Sequence, residues 1–310
     1  MSRLLLTSVD GMYEVDAMLF RYTATLAGSA GMTLTACIVV FQWDKVKRDA
    51  GYGTMFMVFL CWFLWSSTTL VRTFVVFLNN SLDTLEHDTI RHMIFLTETF
   101  FNAISMWLIT AAYECQRRAL TPRTTERSHR VCLVAYMSVI GGLSMMFLVS
   151  LVVLDRSGAT VTGLDVVDAN EAEPVAGVVL ARLSWFTWSL RCVAVGYPAL
   201  IALWLKLRRH RLQFTGLPKA VSWIVLFLFV LNTPYLVIDP LFVVGVLDPS
   251  AHIRILGLMK TFTYMSGIAI SFVMGFAVRG FDAFYNSKPT PSTSLHRDLF
   301  VFSDRSDAYA

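Results

Sequence analysis

Charged residues are scarce in this sequence. Asp, Glu, Lys and Arg make up 15% of its 310 residues, whereas hydrophobic residues make up 55% and aromatic residues 13%. A soluble domain of ordinary composition carries about 25% charged residues and can bury most of its apolar side chains. The composition therefore excludes a soluble domain and indicates a chain that lies in lipid. The net charge of +4 comes with no nucleic-acid-binding motif, so we expect no nucleic-acid partner.

Cysteine is also rare, and its positions exclude one kind of crosslink. All of the cysteines fall inside predicted membrane spans or at their predicted cytoplasmic ends; they are Cys37, Cys61, Cys115, Cys132 and Cys192. Disulfides form in oxidising compartments, and none of these residues lies in a predicted extracellular loop. The sequence therefore predicts no extracellular disulfide.

Patterns of catalytic or metal-binding residues are missing. The histidines show no ligand spacing with Cys, Asp or Glu; they are His87, His92, His129, His210, His252 and His296. No nucleophile elbow, phosphate loop or pair of intramembrane acids is present either. We therefore expect no enzyme, no metal and no cofactor.

What the sequence does contain is seven apolar stretches, each about one bilayer long. They cover residues 18–41, 54–78, 92–114, 131–154, 178–205, 220–244 and 255–277. A helix crosses the hydrocarbon core with about 20 predominantly apolar residues. The sequence therefore predicts an all-α integral membrane protein with one seven-transmembrane helix bundle over residues 18–277.

The basic residues of the loops predict which side each loop faces. Loops 1–2, 3–4 and 5–6 hold most of them: Lys45, Lys47, Arg48, Arg117, Arg118, Arg123, Arg127, Arg130, Lys206, Arg208, Arg209, Arg211 and Lys219. Because basic loops remain in the cytoplasm, the N-terminus is predicted outside and the C-terminus inside. The glycosylation sequon at Asn79 then falls in an outer loop.

The segments that flank the bundle are short. Residues 1–17 are predicted to form an extracellular N-terminus, and the Leu4–Leu6 run is too short for a cleaved signal peptide. Residues 279–285 hold three aromatic residues beside Arg279, a pattern typical of a short amphipathic cytoplasmic helix. Residues 286–310 are predicted to be a disordered Ser/Thr-rich tail, either a kinase target or simply solvated.

Charges inside the spans need partners, because each costs roughly 2.5–3.5 kcal/mol at a span centre. Arg72, Glu98 and Lys260 all fall in the outer third of their spans. We expect Glu98 to pair with Lys260 or Arg72, either as a structural ion pair or as part of a ligand pocket. In span 5, Arg182 and Arg191 are nine residues apart and point to opposite faces. Arg182 is expected to reach toward the interface, whereas Arg191 is either buried or shows that the span starts later.

The inner end of span 3 carries an acid followed by two arginines. An acid in the last turn of a helix is disfavoured by the helix dipole, so Glu114 is expected to have a basic partner among Arg117, Arg118 and Arg211. A pair there could act as a conformational latch that controls exposure of the inner loops.

Prolines and small residues suggest where helices bend or touch. Pro198 and Pro234 fall inside spans 5 and 6, where each removes a backbone hydrogen bond and is expected to kink its helix. In span 1, Ala27 and Gly31 have the four-residue spacing of close helix contacts. Such a contact lies either inside the bundle, which we favour, or between copies in an oligomer.

With these features in place, the chain resembles a divergent rhodopsin-like G protein-coupled receptor, and within that class the orphan receptors encoded by gammaherpesviruses. The resemblance is strongest in the sequence ECQRRALTPRTTERSHRVC, residues 114–132, where the acid and the Ser-His-Arg before a cysteine match. Leu64-Trp65, Ser222-Trp223 and the overall length add to it.

Several motifs of that receptor class are missing. Span 2 has no aspartate, Cys115 replaces the arginine that normally engages the G protein, and span 6 retains only Pro234 of its motif. Span 7 lacks Asn-Pro-x-x-Tyr, and the outer disulfide has no cysteines. These departures fit a receptor that either signals without ligand or has lost coupling.

The resemblance implies a viral receptor-like protein in the host plasma membrane, and in endosomes. It implies constitutive signalling through an inhibitory-class heterotrimeric G protein, and immune evasion by removal of MHC class I molecules from the surface. The residues expected to face the G protein are Glu114, Cys115, Gln116, Arg117, Arg118, Arg208, Arg209 and Arg211.

Other functions remain open. The basic loops could merely contact anionic lipids of the membrane. The chain could be a non-signalling membrane protein that binds and redirects host surface proteins. A channel or transporter would call for internal repeats or interrupted spans, which we do not find. Lys260 and Glu98 mimic a retinal lysine and its counter-ion, but Lys260 lies too near the outer surface.

Overall fold

In the computed structural model, the described part of the chain forms seven helices. They are α1 (Val9–Phe41), α2 (Ala50–Asn79), α3 (Asp88–Leu120), α4 (Glu126–Arg156), α5 (Pro174–Leu207), α6 (Leu217–Val243) and α7 (Pro249–Ala277). The structure describes residues 9–42, 46, 50–79, 88–120, 126–156, 174–207, 217–243 and 249–277. All seven helices are long and apolar enough to cross a membrane. The predicted number of spans is therefore confirmed, and the chain is a multi-pass membrane protein.

Each predicted span falls on one helix, but the helices are longer than the spans. α1 begins at Val9, within the predicted extracellular N-terminus, and α3 continues to Leu120, beyond the predicted end at Glu114. Hydropathy marks only the lipid-crossing part of a helix, whereas backbone hydrogen bonding continues past it. The predicted glycosylation site Asn79 is the last residue of α2. The amphipathic helix and the tail predicted over 279–310 lie outside the described residues.

Six of the seven helices pack side by side into a closed ring, and α4 packs against this ring. α1 packs against α2 and α7, and the ring continues from α2 to α3, α5, α6 and α7. α3 also contacts α4 and α6, so it touches four other helices. α4 packs mainly against α3, with a smaller contact to α2. α3 is therefore the helix best placed to connect different parts of the bundle.

The interior is partly polar and the outer surface is strongly apolar. Large hydrophobic side chains such as Phe20, Met146 and Leu200 are about two-thirds exposed, as expected of positions that face lipid tails. Inside, Ser29 of α1 and Ser66 of α2 are hydrogen-bonded at 2.9 Å, and Asn232 of α6 donates to Ser266 of α7 at 3.1 Å. Small polar residues thus join neighbouring helices inside the bundle.

Glycines bring α7 close to α1 and α2. A Cβ at Gly267 would lie 1.9 Å from Ser29 Oγ and 2.7 Å from the Trp62 indole, so only glycine fits there. A Cβ at Gly28 would lie 3.1 Å from Ile268. The small residues of span 1 therefore do make a contact inside the bundle. However, Ala27 and Gly31, the pair with the expected spacing, are both exposed, because they lie on the opposite face of α1.

Prolines lie inside α5 and α6 without ending either helix. α5 continues through Pro198, and α6 through Pro234 and Pro240. Because proline has no N–H, Pro240 leaves the carbonyl of Leu236 without its helical donor. Trp188 of α5 donates its indole Nε1–H to that carbonyl at 3.0 Å. A side chain from the neighbouring helix thus satisfies the backbone group that the proline leaves free.

Candidate functional site

A cavity of about 180 Å³ lies between α2, α3, α5, α6 and α7. It is found where α2 and α6 end and α3, α5 and α7 begin. Its wall contains all three predicted pocket residues, Arg72, Glu98 and Lys260. It also contains Arg191 and Asp239, so five charged side chains meet in one space. We call it the charged cavity.

The ion pair in the charged cavity is not the expected one. Arg191 of α5 donates from Nη2 to Oε2 of Glu98 on α3. The guanidinium also lies over the Phe101 ring, 4.5 Å from its centroid, where the negative face of the ring attracts a cation. The expectation that Glu98 pairs with Lys260 or Arg72 is therefore wrong. The packing of α5 against α3 decides the partner of Glu98.

The two arginines of α5 take the opposite faces that their spacing predicts. Arg182 is exposed, whereas the Arg191 side chain retains only 12% of its surface. Arg191 is thus a buried residue of the bundle, which resolves the alternatives that the sequence left open.

Three charges in the charged cavity make no ion pair within the described part of the chain: Arg72, Asp239 and Lys260. The ammonium of Lys260 lies 5.9 Å from the centroid of the Tyr235 ring. Since Glu98 and Arg191 neutralise each other, these three leave the cavity with an excess of one positive charge.

Hydroxyl groups in the wall of the charged cavity differ in how they are bonded. Thr69 and Thr97 donate to the carbonyl four residues earlier, to Trp65 and Met93, at 2.7 Å each. Such bonding is the usual way for a threonine to satisfy its hydroxyl inside a helix. Thr187 and Thr263 retain only 1% and 5% of their surface, yet their hydroxyls have no hydrogen-bond partner among the described residues. Within the same part of the chain, the buried Nε of Arg191 has none either.

Aromatic rings line the deeper part of the charged cavity. Trp65 lies between Phe101 and Tyr264, with ring centroids 5.2 Å and 5.8 Å away. All three rings belong to the cavity wall. Beyond them, a crevice of about 30 Å³ shares Phe101, Arg191 and Tyr235 with the cavity. Since one water needs roughly 10–15 Å³, this crevice holds about two waters and no extended group.

A second cluster of polar residues lies at the other end of α3. Glu114 is 1% exposed and accepts two hydrogen bonds from Arg117, at 2.9 Å from Nε and 2.7 Å from Nη2. Tyr136 of α4 donates to the same carboxylate at 3.2 Å, and His129 Nδ1 lies 3.6 Å from it. We call Glu114, Arg117, His129 and Tyr136 the acid cluster. Arg117, one of the three candidates, is thus a partner of Glu114.

The other residues expected to face a G protein are placed only in part. Cys115 is buried, and Gln116 accepts a hydrogen bond from Tyr197 of α5 at 2.7 Å. The Arg118 side chain, Arg208, Arg209 and Arg211 lie outside the described residues. The side chains of Glu114 and Cys115 thus lie inside the bundle and do not face outward.

Several residues of both sites were not among the sequence-predicted site residues. Tyr136 and His129 come from α4, and Thr187 and Asp239 come from α5 and α6. Asp239 had a usable signal, since it is an acid at the end of an apolar span. The threonines had none, because most threonines in these helices bond to their own backbone.

Neither a search against protein-family models nor a search of curated proteins finds a match to this sequence.

Proposed function

We propose that this chain is a membrane signalling receptor of the rhodopsin-like class, with its N-terminus and the charged cavity outside the cell. The observation that carries the proposal is the position of α3. Glu98 and Glu114 are sixteen residues apart on this helix, or about 24 Å at 1.5 Å per residue. One helix thus joins a cavity at one end of the bundle to a buried charge cluster at the other.

The acid cluster is suited to hold α3 and α4 in one arrangement. A buried carboxylate with a bidentate arginine is stable only while its partners stay in place. A movement of α4 away from α3 would break the hydrogen bond from Tyr136 to Glu114 and release the paired Glu114 and Arg117 from α4. We propose that this release exposes the inner face to an inhibitory-class G protein.

The test is cyclic AMP in cells that express the full chain, without any added agonist. We expect the chain to lower cyclic AMP and pertussis toxin to restore it. The Glu114→Ala and Arg117→Ala variants are each expected to change how far cyclic AMP falls. Arg182→Ala is the control, because this exposed arginine lies at the other end of the bundle. Unchanged cyclic AMP, with no effect of Arg117→Ala, would contradict the signalling proposal.

The proposal extends to a viral protein of the host plasma membrane and endosomes that removes MHC class I molecules from the surface. It rests on the sequence resemblance alone, and flow cytometry of surface MHC class I tests it.

A chain truncated after Tyr285 separates signalling from the removal of MHC class I. If truncation restores MHC class I while cyclic AMP stays suppressed, two different parts of the chain act. If MHC class I falls while cyclic AMP never changes, the alternative of a non-signalling interaction protein is favoured.

A further inference from the structure

Donors outnumber acceptors among the charged side chains of the cavity wall. Arg and Lys side chains can only donate, so Arg72, Arg191 and Lys260 supply donors. The carboxylates of Glu98 and Asp239 are the acceptors among these charged side chains, and Glu98 already receives a hydrogen bond from Arg191. A group with several acceptor oxygens would satisfy Arg72 and Lys260.

The charges of the charged cavity point the same way. A cationic ligand would meet Arg72, Lys260 and Arg191 and would find only Asp239 without an ion pair among the described residues. An anionic ligand would bring the excess positive charge to zero. Asp239 would repel the anion while Arg72 and Lys260 attract it. Asp239 would therefore weaken binding without preventing it.

Helix geometry separates the cations from the aromatic rings. On α2, Arg72 is seven residues, or about 10 Å, beyond Trp65 on the same face. On α7, Lys260 is four residues, or about 6 Å, from Tyr264 on the same face. Both cations lie nearer to the helix ends at this side of the bundle than the ring on the same helix. The cavity therefore has a cationic rim above an aromatic floor.

We propose that the charged cavity binds a small organic anion. Its acid group, a carboxylate or a phosphate, lies between Arg72 and Lys260, and its flat apolar body lies against Trp65 and Tyr264. The volume of about 180 Å³ takes on the order of a dozen water-sized groups, which matches one or two rings with an acid group. The small crevice beyond Phe101 excludes a long alkyl chain. The inference deepens the proposed receptor function by naming a class of ligand for it.

The test compares three probes that share a naphthyl ring and carry a negative, neutral or positive group: 2-naphthoate, 2-naphthamide and 2-naphthylmethylammonium. Thermal unfolding of the purified full chain in uncharged detergent reports binding, because a ligand of the folded state raises the unfolding midpoint. Naphthoate is expected to raise the midpoint, and the other two are expected to have little effect. Equal stabilisation by all three probes, preference for the ammonium, or no effect of naphthoate would each overturn the proposal.

Variants locate the probe within the chain. Arg72→Gln and Lys260→Gln are each expected to weaken naphthoate binding about tenfold, because each removes a charge-assisted hydrogen bond. Asp239→Asn is expected to strengthen binding, so one variant moves the affinity in the opposite direction. Arg182→Gln is the matched control and is expected to leave it unchanged. Binding that is unchanged in the three cavity variants would place the probe elsewhere and would overturn the proposal.

The binding measurement needs no G protein, so it is independent of the cyclic AMP test. Naphthoate binding without any effect on cyclic AMP would contradict the signalling proposal and leave the binding site in place. Suppressed cyclic AMP without naphthoate binding would contradict the binding proposal and leave the signalling proposal in place.

Discussion

Glu98 and Glu114 are tolerated inside this bundle because arginines on another helix or in the next turn match them. Glu98 and Arg191 come from α3 and α5 and share one cavity wall. Glu114 and Arg117 are one turn apart, and α4 supplies Tyr136 and His129. An unpaired charge in lipid costs several kcal/mol, so removing one partner is worse than removing both.

This reasoning predicts a non-additive result for the pair in the charged cavity. Glu98→Gln and Arg191→Gln are each expected to destabilise the protein by about 3 kcal/mol, since each leaves a buried charge without its partner. The double variant is expected to be less destabilised than the sum of the two, by about 0.5–3 kcal/mol. Thermal unfolding in detergent measures all three. Strictly additive effects would mean that the ion pair does not form.

At the scale of the helix, proline and glycine decide how neighbouring elements fit. Pro240 frees a carbonyl of α6 that Trp188 of α5 then binds, and Gly267 lets α7 approach α1 and α2. In both cases a residue on a neighbouring helix occupies the space or bonds the group that the glycine or proline leaves free. The effect on stability of a substitution at Pro240 or Gly267 should therefore depend on that neighbouring residue.

Trp188→Phe is expected to destabilise the protein by about 1 kcal/mol, because it removes the hydrogen bond to the Leu236 carbonyl. In a Pro240→Ala background the helix supplies its own N–H to this carbonyl, so Trp188→Phe is expected to cost less. Thermal unfolding of the two single variants and the double variant measures the difference. An equal cost in both backgrounds would show that the indole acts through packing alone.

Gly267→Ala is expected to destabilise the protein by about 1–3 kcal/mol, since its Cβ would collide with Ser29 and Trp62. Gly31→Ala provides a matched control on α1, where nothing lies within 4 Å of the added Cβ. There the better helix propensity of alanine is expected to stabilise the chain by up to about 1 kcal/mol. The two substitutions thus have opposite expected signs, and unfolding midpoints compare them. A neutral Gly267→Ala would mean that α7 does not approach α1 and α2 this closely.

At the scale of the whole molecule, the seven described helices, if each crosses the membrane once, place the two ends of the bundle on opposite sides of it. The odd number of crossings requires this, and the basic loops predict which end is outside. α3 touches four helices and carries a charged group near each end. The architecture therefore connects the two sides through one central element.

We expect an epitope tag at the N-terminus to be accessible to antibody on intact cells, and a C-terminal tag to be accessible only after permeabilisation. Glycosylation at Asn79 would support the same orientation, and Asn79→Gln is expected to abolish the glycosidase-sensitive mass shift. Tags that are both accessible on intact cells would contradict the odd number of crossings. An accessible C-terminus with a shielded N-terminus would reverse the predicted orientation.

The seven apolar spans could be predicted from sequence, because crossing a bilayer needs a run of apolar residues that any window along the chain reveals. The same holds for the opposite faces of Arg182 and Arg191, since the helical repeat alone sets them. The meeting of Arg72, Glu98 and Lys260 at one end of the bundle was also accessible, because the order of the spans and a uniform rise per residue place all three near the same end.

Only the tertiary structure decided which side chains meet. The pairing of Glu98 with Arg191, the bond from Trp188 to Leu236 and the contact of Gly28 instead of Ala27 all depend on the rotation and neighbours of each helix. Hydropathy is nearly the same around most of a lipid-embedded helix, so the sequence carries little information about its rotation. Packing against other helices supplies that information, and with it the charged cavity and the acid cluster.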